Sequence, residues 1–365
     1  FYKEPKFFMP TNYIKGRGAQ QNVPNKFEEL KHITDAEFLE YCHKEGEEAS
    51  DIKTRFQEVF PKTIVNKVNS PDVGMEYSLN PYQGCEHGCI YCYARNSHEY
   101  WGYSAGLDFE KQILVKKNSP ELLAKKLQQK NWEPHTIVFS GNTDCYQPIE
   151  KKLQLTRKCL EVMLKYKHPT GIITKNSLIL RDLDLLKELA KLNVIRVNIS
   201  ITSLEEETRR ILEPRTASVK QRLKTVEKLA ENGIPVNVMV APIIPFINSH
   251  EILPIVKAVS EAGASSVGYT VVRLNGAIAE IFSDWIKKTL PDRAAKVLHQ
   301  IEACHGGNLN DSRFGTRMKG EGEFSKQIAQ QFAIAKKKYL KNKKVPKMDT
   351  FHYLQLKNPQ YKLFG

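Results

Sequence analysis

The sequence predicts an α/β fold built on a parallel sheet, and three observations carry that expectation. From about residue 76 to 290, short β-branched runs alternate with amphipathic segments of helical period. The chain has 365 residues, enough to bury a full core. With 20 Gly and 18 Pro it is too poor in both to be fibrous or disordered.

The first strand is expected near Met75–Asn80. Further runs follow at Thr136–Phe139, Gly171–Thr174, Val194–Ile201, Val236–Ile244 and Ser265–Val272. Helical segments are expected at roughly 150–166, 181–192, 218–232, 249–262 and 276–289. In 181–192, Leu183, Leu186, Leu189 and Ala190 line one face while Asp184, Lys187, Glu188 and Lys191 line the other. Gly233-Ile234-Pro235 ends one helix and opens the next strand. The strands look apolar on both faces, as buried parallel strands do. Six strand–helix units fit an open doubly wound sheet or an incomplete (β/α) barrel, and both put the site at the carboxyl ends of the strands.

Residues 1–75 read as an irregular, polar N-terminal extension. It holds the loop Lys15-Gly16-Arg17-Gly18-Ala19 and a helix near Thr34–Cys42, with Thr34 and Glu37 as a capping box. The core is expected over 76–290, and 291–365 as a helical, basic C-terminal extension with a helix near 324–341.

Lys plus Arg number 55 and Asp plus Glu 41, a net charge of +14. That excess favours an anionic partner such as nucleic acid. Part of it is local: six lysines lie between Lys336 and Lys344, either a solvated helix end or a phosphate-contacting patch. The most apolar stretch, Val236–Ile247, is interrupted by Asn237, Pro242 and Pro245 and is too short to cross a bilayer. A cytoplasmic protein with no membrane partner is expected.

The seven cysteines are Cys42, Cys85, Cys89, Cys92, Cys145, Cys159 and Cys304. An odd count with three crowded together suits a metal or cluster site in a reducing compartment better than a disulfide framework. Cys85, Cys89 and Cys92 have the spacing C-x3-C-x2-C just after the first strand. Thiolates are soft ligands for zinc, copper(I) or iron–sulfur clusters. In one reading His87 completes a four-ligand zinc site. In the other, three cysteines hold three irons of a [4Fe–4S] cluster and leave the fourth open to a substrate or cofactor. Cys42, Cys159 and Cys304 look structural.

Cys85, Cys89, Tyr91 and Cys92 resemble the C-x3-C-x-aromatic-C signature of the radical S-adenosylmethionine (radical SAM) enzymes. Cys92-Tyr93-Ala94-Arg95 and Gly141-Asn142-Thr143-Asp144 look like the branch related to spore photoproduct lyase. The resemblance spans roughly 75–290. It implies a partial (β/α)6 TIM-like barrel with the two extensions outside it. It further implies a [4Fe–4S] cluster whose open iron takes the amino and carboxylate groups of S-adenosylmethionine (SAM). An electron donor of flavodoxin or ferredoxin type would supply one electron, and a 5′-deoxyadenosyl radical would take hydrogen from the substrate.

By that resemblance Cys85, Cys89 and Cys92 bind the cluster. Thr143 matches a serine that touches SAM, although the family's usual Gly-Gly-Glu is absent there. Lys175 pairs with the SAM carboxylate. Ser200 suits a ribose, and Arg215 suits a carboxylate held bidentately. Ala241, with Tyr269–Val272, suits the adenine. Tyr91 and Tyr93 offer contacts near the cluster. Cys145 is a candidate hydrogen donor and Asp144 a candidate proton relay or SAM contact. The position of the lyase's donor cysteine is Gly141 here, so the chain does not read as a photoproduct lyase. Three functions stay open: a radical SAM enzyme acting on nucleic acid, one acting on a peptide or small metabolite, and a non-catalytic metal-stabilised module that binds nucleic acid.

Overall fold

A computed structural model describes residues 13–27, 53–341, 343 and 345–358. Cys42 and the helix expected near Thr34–Cys42 lie outside them. The strands are β1 (Arg55–Val59), β2 (Val65–Lys67), β3 (Tyr77–Leu79), β4 (Tyr82–Gln83), β5 (Gln112–Lys116), β6 (Ile137–Phe139), β7 (Thr170–Thr174), β8 (Ile195–Ser200), β9 (Val236–Ile243) and β10 (Ser266–Val271).

Six of them, β3 and β6 to β10, form the expected parallel array, in the order β10-β9-β8-β7-β6-β3, with β2 antiparallel outside β3. The register runs Leu79 to Phe139, Ile137 to Thr170, Thr174 to Ile199 and Asn198 to Asn237. This is an open, partial barrel of the expected class. A separate sheet of order β1-β5-β4 packs beside it, so two strands interrupt the segment read as irregular before residue 75.

Helices follow the strands much as the periodicity indicates, at Val219–Glu231, Ile252–Glu261 and Ile278–Thr289. The helix expected over 150–166 is broken: Gln154 has φ +54°, separating Glu150–Leu153 from Leu155–Tyr166. A 3-10 turn, Ser177–Asp182, precedes the helix Leu183–Lys191. The crossover helix Ser119–Gln128 escaped the sequence reading, although Pro120 in its first turn and Leu123 and Leu127 on its buried side are ordinary helix signals.

One expectation fails informatively. The strands are not apolar on both faces. Val197, Ile199, Val238, Val240 and Val267 face the helices and are buried. The alternate positions carry Asn198, Asn237, Met239, Ala241, Ser266 and Gly268, all partly open. Asn237 donates to Asn198 at 2.9 Å and Ser266 donates to Asn237 at 2.7 Å, a polar rung across three strands. A closed eight-stranded barrel fills its interior with layers of branched side chains. This six-stranded arc keeps a polar, half-open concave face instead.

Two further segments complete the barrel. At the amino ends of the strands, Asn193 donates to the Lys347 carbonyl, Arg196 to that of Pro346, and Tyr353 to that of Leu127. At the open seam, a loop after the helix Pro291–Cys304 runs along β10, where the Val271 N–H donates to the Met318 carbonyl at 2.9 Å. The same loop reaches the opposite edge of the sheet. Asp72, between β2 and β3, accepts from the Gly315 N–H at 2.9 Å and from Arg317 at 2.6 Å.

Candidate active site

The loop that carries Cys85, Cys89 and Cys92 leaves β4 and ends in the 3-10 helix Tyr93–Trp101. It lies at the carboxyl end of the parallel strands, where (β/α) folds bind ligands. Cys85 and Cys89 are buried and Cys92 is half-buried. Burial pushes all three thiols up, so a bound metal is what would hold them as thiolates here.

The loop is clamped from two sides. On the outer side, Arg95 and Glu110 form an ion pair at 2.6 Å, with both side chains fully buried. Arg95 also donates to the Cys89 carbonyl at 2.9 and 3.0 Å and to the carbonyls of Ala105 and Gly106. Glu110 accepts from the N–H groups of Gly18 and Ala19. The Lys15–Ala19 loop is therefore a strap laid over the cysteine loop. A Cβ on Gly18 would lie 1.7 Å from the Gly88 carbonyl oxygen, so glycine is required at that approach. Gly88 itself has φ +67°.

On the inner side, Glu213 accepts hydrogen bonds from Tyr91, Thr202 and Arg222. Arg222 also donates to the Ser200 carbonyl at 3.0 Å. The Lys175 ammonium stands 5.9 Å from the Tyr91 ring centre. Burial disfavours its charge, but the neighbouring Cys89 and Glu213 more than offset this and raise its pKa. No hydrogen-bond partner is recorded for that ammonium among the described residues. Glu213 and Arg222 were missed in the sequence. The sequence points to Arg215, whereas the buried residue two positions before it is the acid Glu213.

The structure separates the two metal readings. His87 is 1% exposed and engaged at both ring nitrogens. Its Nδ1 lies 3.3 Å from Asp144, and its Nε2 lies 3.3 Å from the Asn176 amide. It has no nitrogen left for zinc. Among the described residues, Glu205, His250 and Glu251 form a group whose ligand atoms all lie within 4.8 Å of one another, and the three cysteines do not. Thiolates on one zinc sit about 3.8 Å apart, given Zn–S near 2.3 Å and tetrahedral angles. Three wider-spaced soft ligands fit a cluster.

Other expected site residues fall differently. Asp144 accepts from Thr174, from the Lys175 N–H and from the Tyr146 N–H, at 2.8, 2.8 and 2.9 Å. Burial alone would raise its pKa, but His87 and these donors pull it down to about 2. As an anion it joins the loop after β6, the end of β7 and the cysteine loop. Cys145 is fully buried in the principal apolar core, its N–H on Ser140 and its carbonyl on Thr156. A hydrogen donor must reach the substrate, and this thiol faces away from solvent. Nor is there room for a cysteine at 141, where a Cβ would meet the Ser78 Cβ at 2.5 Å.

Thr143 donates to the Tyr82 carbonyl at 2.6 Å and so ties the second strand end to the base of the cysteine loop. Arg215 pairs with Glu86 at 3.2 Å, so its expected carboxylate partner is the protein's own. Ser200 ends β8 almost buried, and Ala241 lies on the open face of β9. Tyr269 stacks on Phe332 with ring centres 4.2 Å apart, which takes it out of any adenine contact. Tyr93 is half-exposed, and its hydroxyl donates to the Gly141 carbonyl at 2.7 Å. Cys159 and Cys304 are buried, in keeping with structural roles. Lys343, in the basic run, caps the helix Ile252–Glu261 and its exit through the carbonyls of Ser260 and Ala264. No helix among the described residues is long and apolar enough to cross a membrane.

Residues 79–259 match the profile of the Radical SAM superfamily. An uncharacterized protein of Mycobacterium tuberculosis is 31% identical over 244 residues, 66% of this chain and 72% of that protein. An uncharacterized protein of Methanocaldococcus jannaschii is 34% identical over 184 residues, 50% of this chain and 66% of that one. Among solved structures, spore photoproduct lyase complexed with dinucleoside spore photoproduct aligns with a TM-score of 0.59 at 17% identity, covering 78% of this chain and 79% of that one. A mutant of that lyase with bound AdoMet and the dinucleoside aligns equally well, at 16% identity over 86% of this chain and 85% of that one. At such identities the likeness is one of fold.

Proposed function

Given that the chain belongs to the radical SAM superfamily, whose members work with a [4Fe–4S] cluster and SAM, we propose that it is an enzyme that takes a hydrogen atom from a nucleic-acid substrate in a repair or modification reaction. The observation that carries the enzymatic part is the cysteine loop. Three thiols, too widely spaced for one ion, sit at the strand carboxyl ends beside a histidine already engaged at both nitrogens. When bound, the cluster and SAM together supply a 5′-deoxyadenosyl radical, with one electron from a flavodoxin- or ferredoxin-type donor.

The chain's own residues hold and orient. Cys85, Cys89 and Cys92 bind three irons. Lys175, its ammonium facing the cysteine loop, pairs with the SAM carboxylate. Tyr91, Glu213 and Arg222 form the rigid wall against which Lys175 is aimed. Ser200 and Ala241, on the open face of β8 and β9, suit the nucleoside part of SAM. Tyr93 stands between the cluster loop and the mouth. The net charge of +14 supports an anionic substrate.

The test is anaerobic reconstitution with iron and sulfide, reduction with dithionite, addition of SAM and assay for 5′-deoxyadenosine, with Cys89→Ala alongside. The expected result is a brown protein that forms 5′-deoxyadenosine, faster with DNA or RNA, and a variant that does not. A colourless zinc protein without that product would overturn the proposal in favour of a metal-stabilised binding module. Product formation that a peptide library stimulates and nucleic acid does not would overturn the substrate class alone.

A further inference from the structure

The rim of the barrel mouth beside β10 holds a guanidinium to which no described residue offers a hydrogen bond or ion pair. Arg273 lies two residues beyond the end of β10, between the backbone hydrogen bonds Val271–Met318 and Leu274–Leu309, and is half-buried. Among the described residues it makes no recorded hydrogen bond or ion pair. The acids around it are already committed. Asp72 holds Gly315 and Arg317. Asp311 holds Arg313 and Thr316. Burial and then the neighbouring Arg317 lower the Arg273 pKa, and Tyr93, Asp72 and Asp311 only partly offset them. A cation left half-dry beside another cation is stabilised by an anion from outside the chain.

The surroundings say what kind of anion. Phe314 is 59% exposed, and the Arg317 guanidinium lies 4.3 Å from its ring centre. An exposed ring braced by a cation is a platform for a flat, electron-rich group. Tyr93, half-exposed and one residue beyond Cys92, offers a second ring on the cluster side. Cations that track phosphates, interleaved with rings that stack bases, are how proteins hold unpaired nucleic acid.

From this juxtaposition we infer that Arg273, Arg317 and Phe314 form a substrate subsite, with the guanidinium of Arg273 taking a backbone phosphate and the ring of Phe314 stacking an unpaired base next to the reacting nucleotide. The inference rests on the nucleic-acid reading above and goes beyond it, because it assigns recognition to the loop that closes the barrel seam. That loop falls outside the family match over residues 79–259.

The experiment is fluorescence anisotropy with a labelled single strand of about 12 nucleotides, within the usual site sizes, titrated into reconstituted protein at several salt concentrations. Arg273→Gln is expected to weaken binding about tenfold and to reduce the salt slope by about 0.7, the loss of one phosphate contact. Phe314→Ala is expected to weaken binding about fivefold, within the range for one stacked base, with the slope unchanged. Lys187→Gln, a charge-matched change on the outer helix Leu183–Lys191, is expected to leave both unaltered. Thermal melts of each variant separate lost binding from lost fold, and Phe314→Ala keeps the test open should Arg273→Gln unfold. If wild type binds the strand and both variants match it, the subsite is wrong while the nucleic-acid reading stands. If wild type does not bind, the nucleic-acid reading itself fails. If Arg273→Gln weakens SAM binding instead, the guanidinium serves the cofactor and the inference is overturned.

Discussion

Two buried arginine–glutamate pairs flank the cysteine loop, and they differ in what they leave unsatisfied. Arg95–Glu110, on the outside, is saturated: the guanidinium is surrounded by backbone carbonyls and the carboxylate by the N–H groups of Gly18 and Ala19. Arg222–Glu213, on the inside, is saturated too, yet it faces an ammonium, Lys175, that has no recorded hydrogen-bond partner among the described residues. A closed network fixes a backbone. A network with one uncommitted charge at its edge fixes a backbone and also presents a binding group. The outer pair is thus scaffold, and the inner pair is scaffold for a ligand.

This contrast can be broken in order of expected size. Arg95→Ala leaves a carboxylate buried without its partner and is expected to destabilise the fold by about 3–5 kcal/mol, read by urea unfolding. Gly18→Ala forces the strap off Gly88 and is expected to cost about 1–3 kcal/mol, as overpacking does, with iron content per chain falling in parallel. Lys175→Met is expected to weaken SAM binding about tenfold, or about 1.4 kcal/mol, measured by equilibrium dialysis. Its melting temperature should stay near wild type. If Lys175→Met instead unfolds the protein and leaves SAM affinity alone, the inner network is no more than scaffold.

A last effect, no larger than that of Lys175→Met, sharpens the comparison with an uncharged pair. His168 accepts from the Trp132 indole at 3.0 Å and lies 3.1 Å from the Pro169 carbonyl, so both nitrogens are satisfied in the neutral ring. Burial depresses its pKa to about 3. The unfolded chain takes up this proton below about pH 6.5 and the folded one does not, so stability is lost as pH falls from 6.5 towards 3. The loss should reach about 1.4 kcal/mol by pH 5.5. His168→Gln is expected to flatten that slope in denaturant midpoints, and an unchanged slope would assign the acid sensitivity elsewhere.

Much of this was legible beforehand, for reasons that can be named. The parallel strands betray themselves because a run such as Val194–Ile201 is short, β-branched and bounded by turns. The cysteine loop is legible because ligand spacing is local in sequence. The inner and outer networks are not local. Arg95 and Glu110 are fifteen residues apart, and Gly18 and Glu110 ninety-two. Nothing in Arg222, among the polar residues of its helix, distinguishes it from a surface charge. Cys145 was misread for a related cause. Proximity in sequence to a strand end does not say whether a side chain turns into the mouth or back into the core. The strands' concave face was misjudged because Val, Ile and Met dominate the count while Asn198, Asn237 and Ser266 occupy alternate positions.

The loop along β10 has one more consequence. An open parallel sheet ends in a row of unpaired N–H and C=O groups, which any other extended chain can join. Here the Met318 carbonyl occupies the Val271 N–H and the Lys319 ammonium occupies the Tyr269 carbonyl. The barrel's last strand is blunted against self-association by the segment that also frames its mouth. A protein unable to seat that segment would expose an adhesive margin, and its first symptom would be loss from the soluble fraction rather than loss of chemistry.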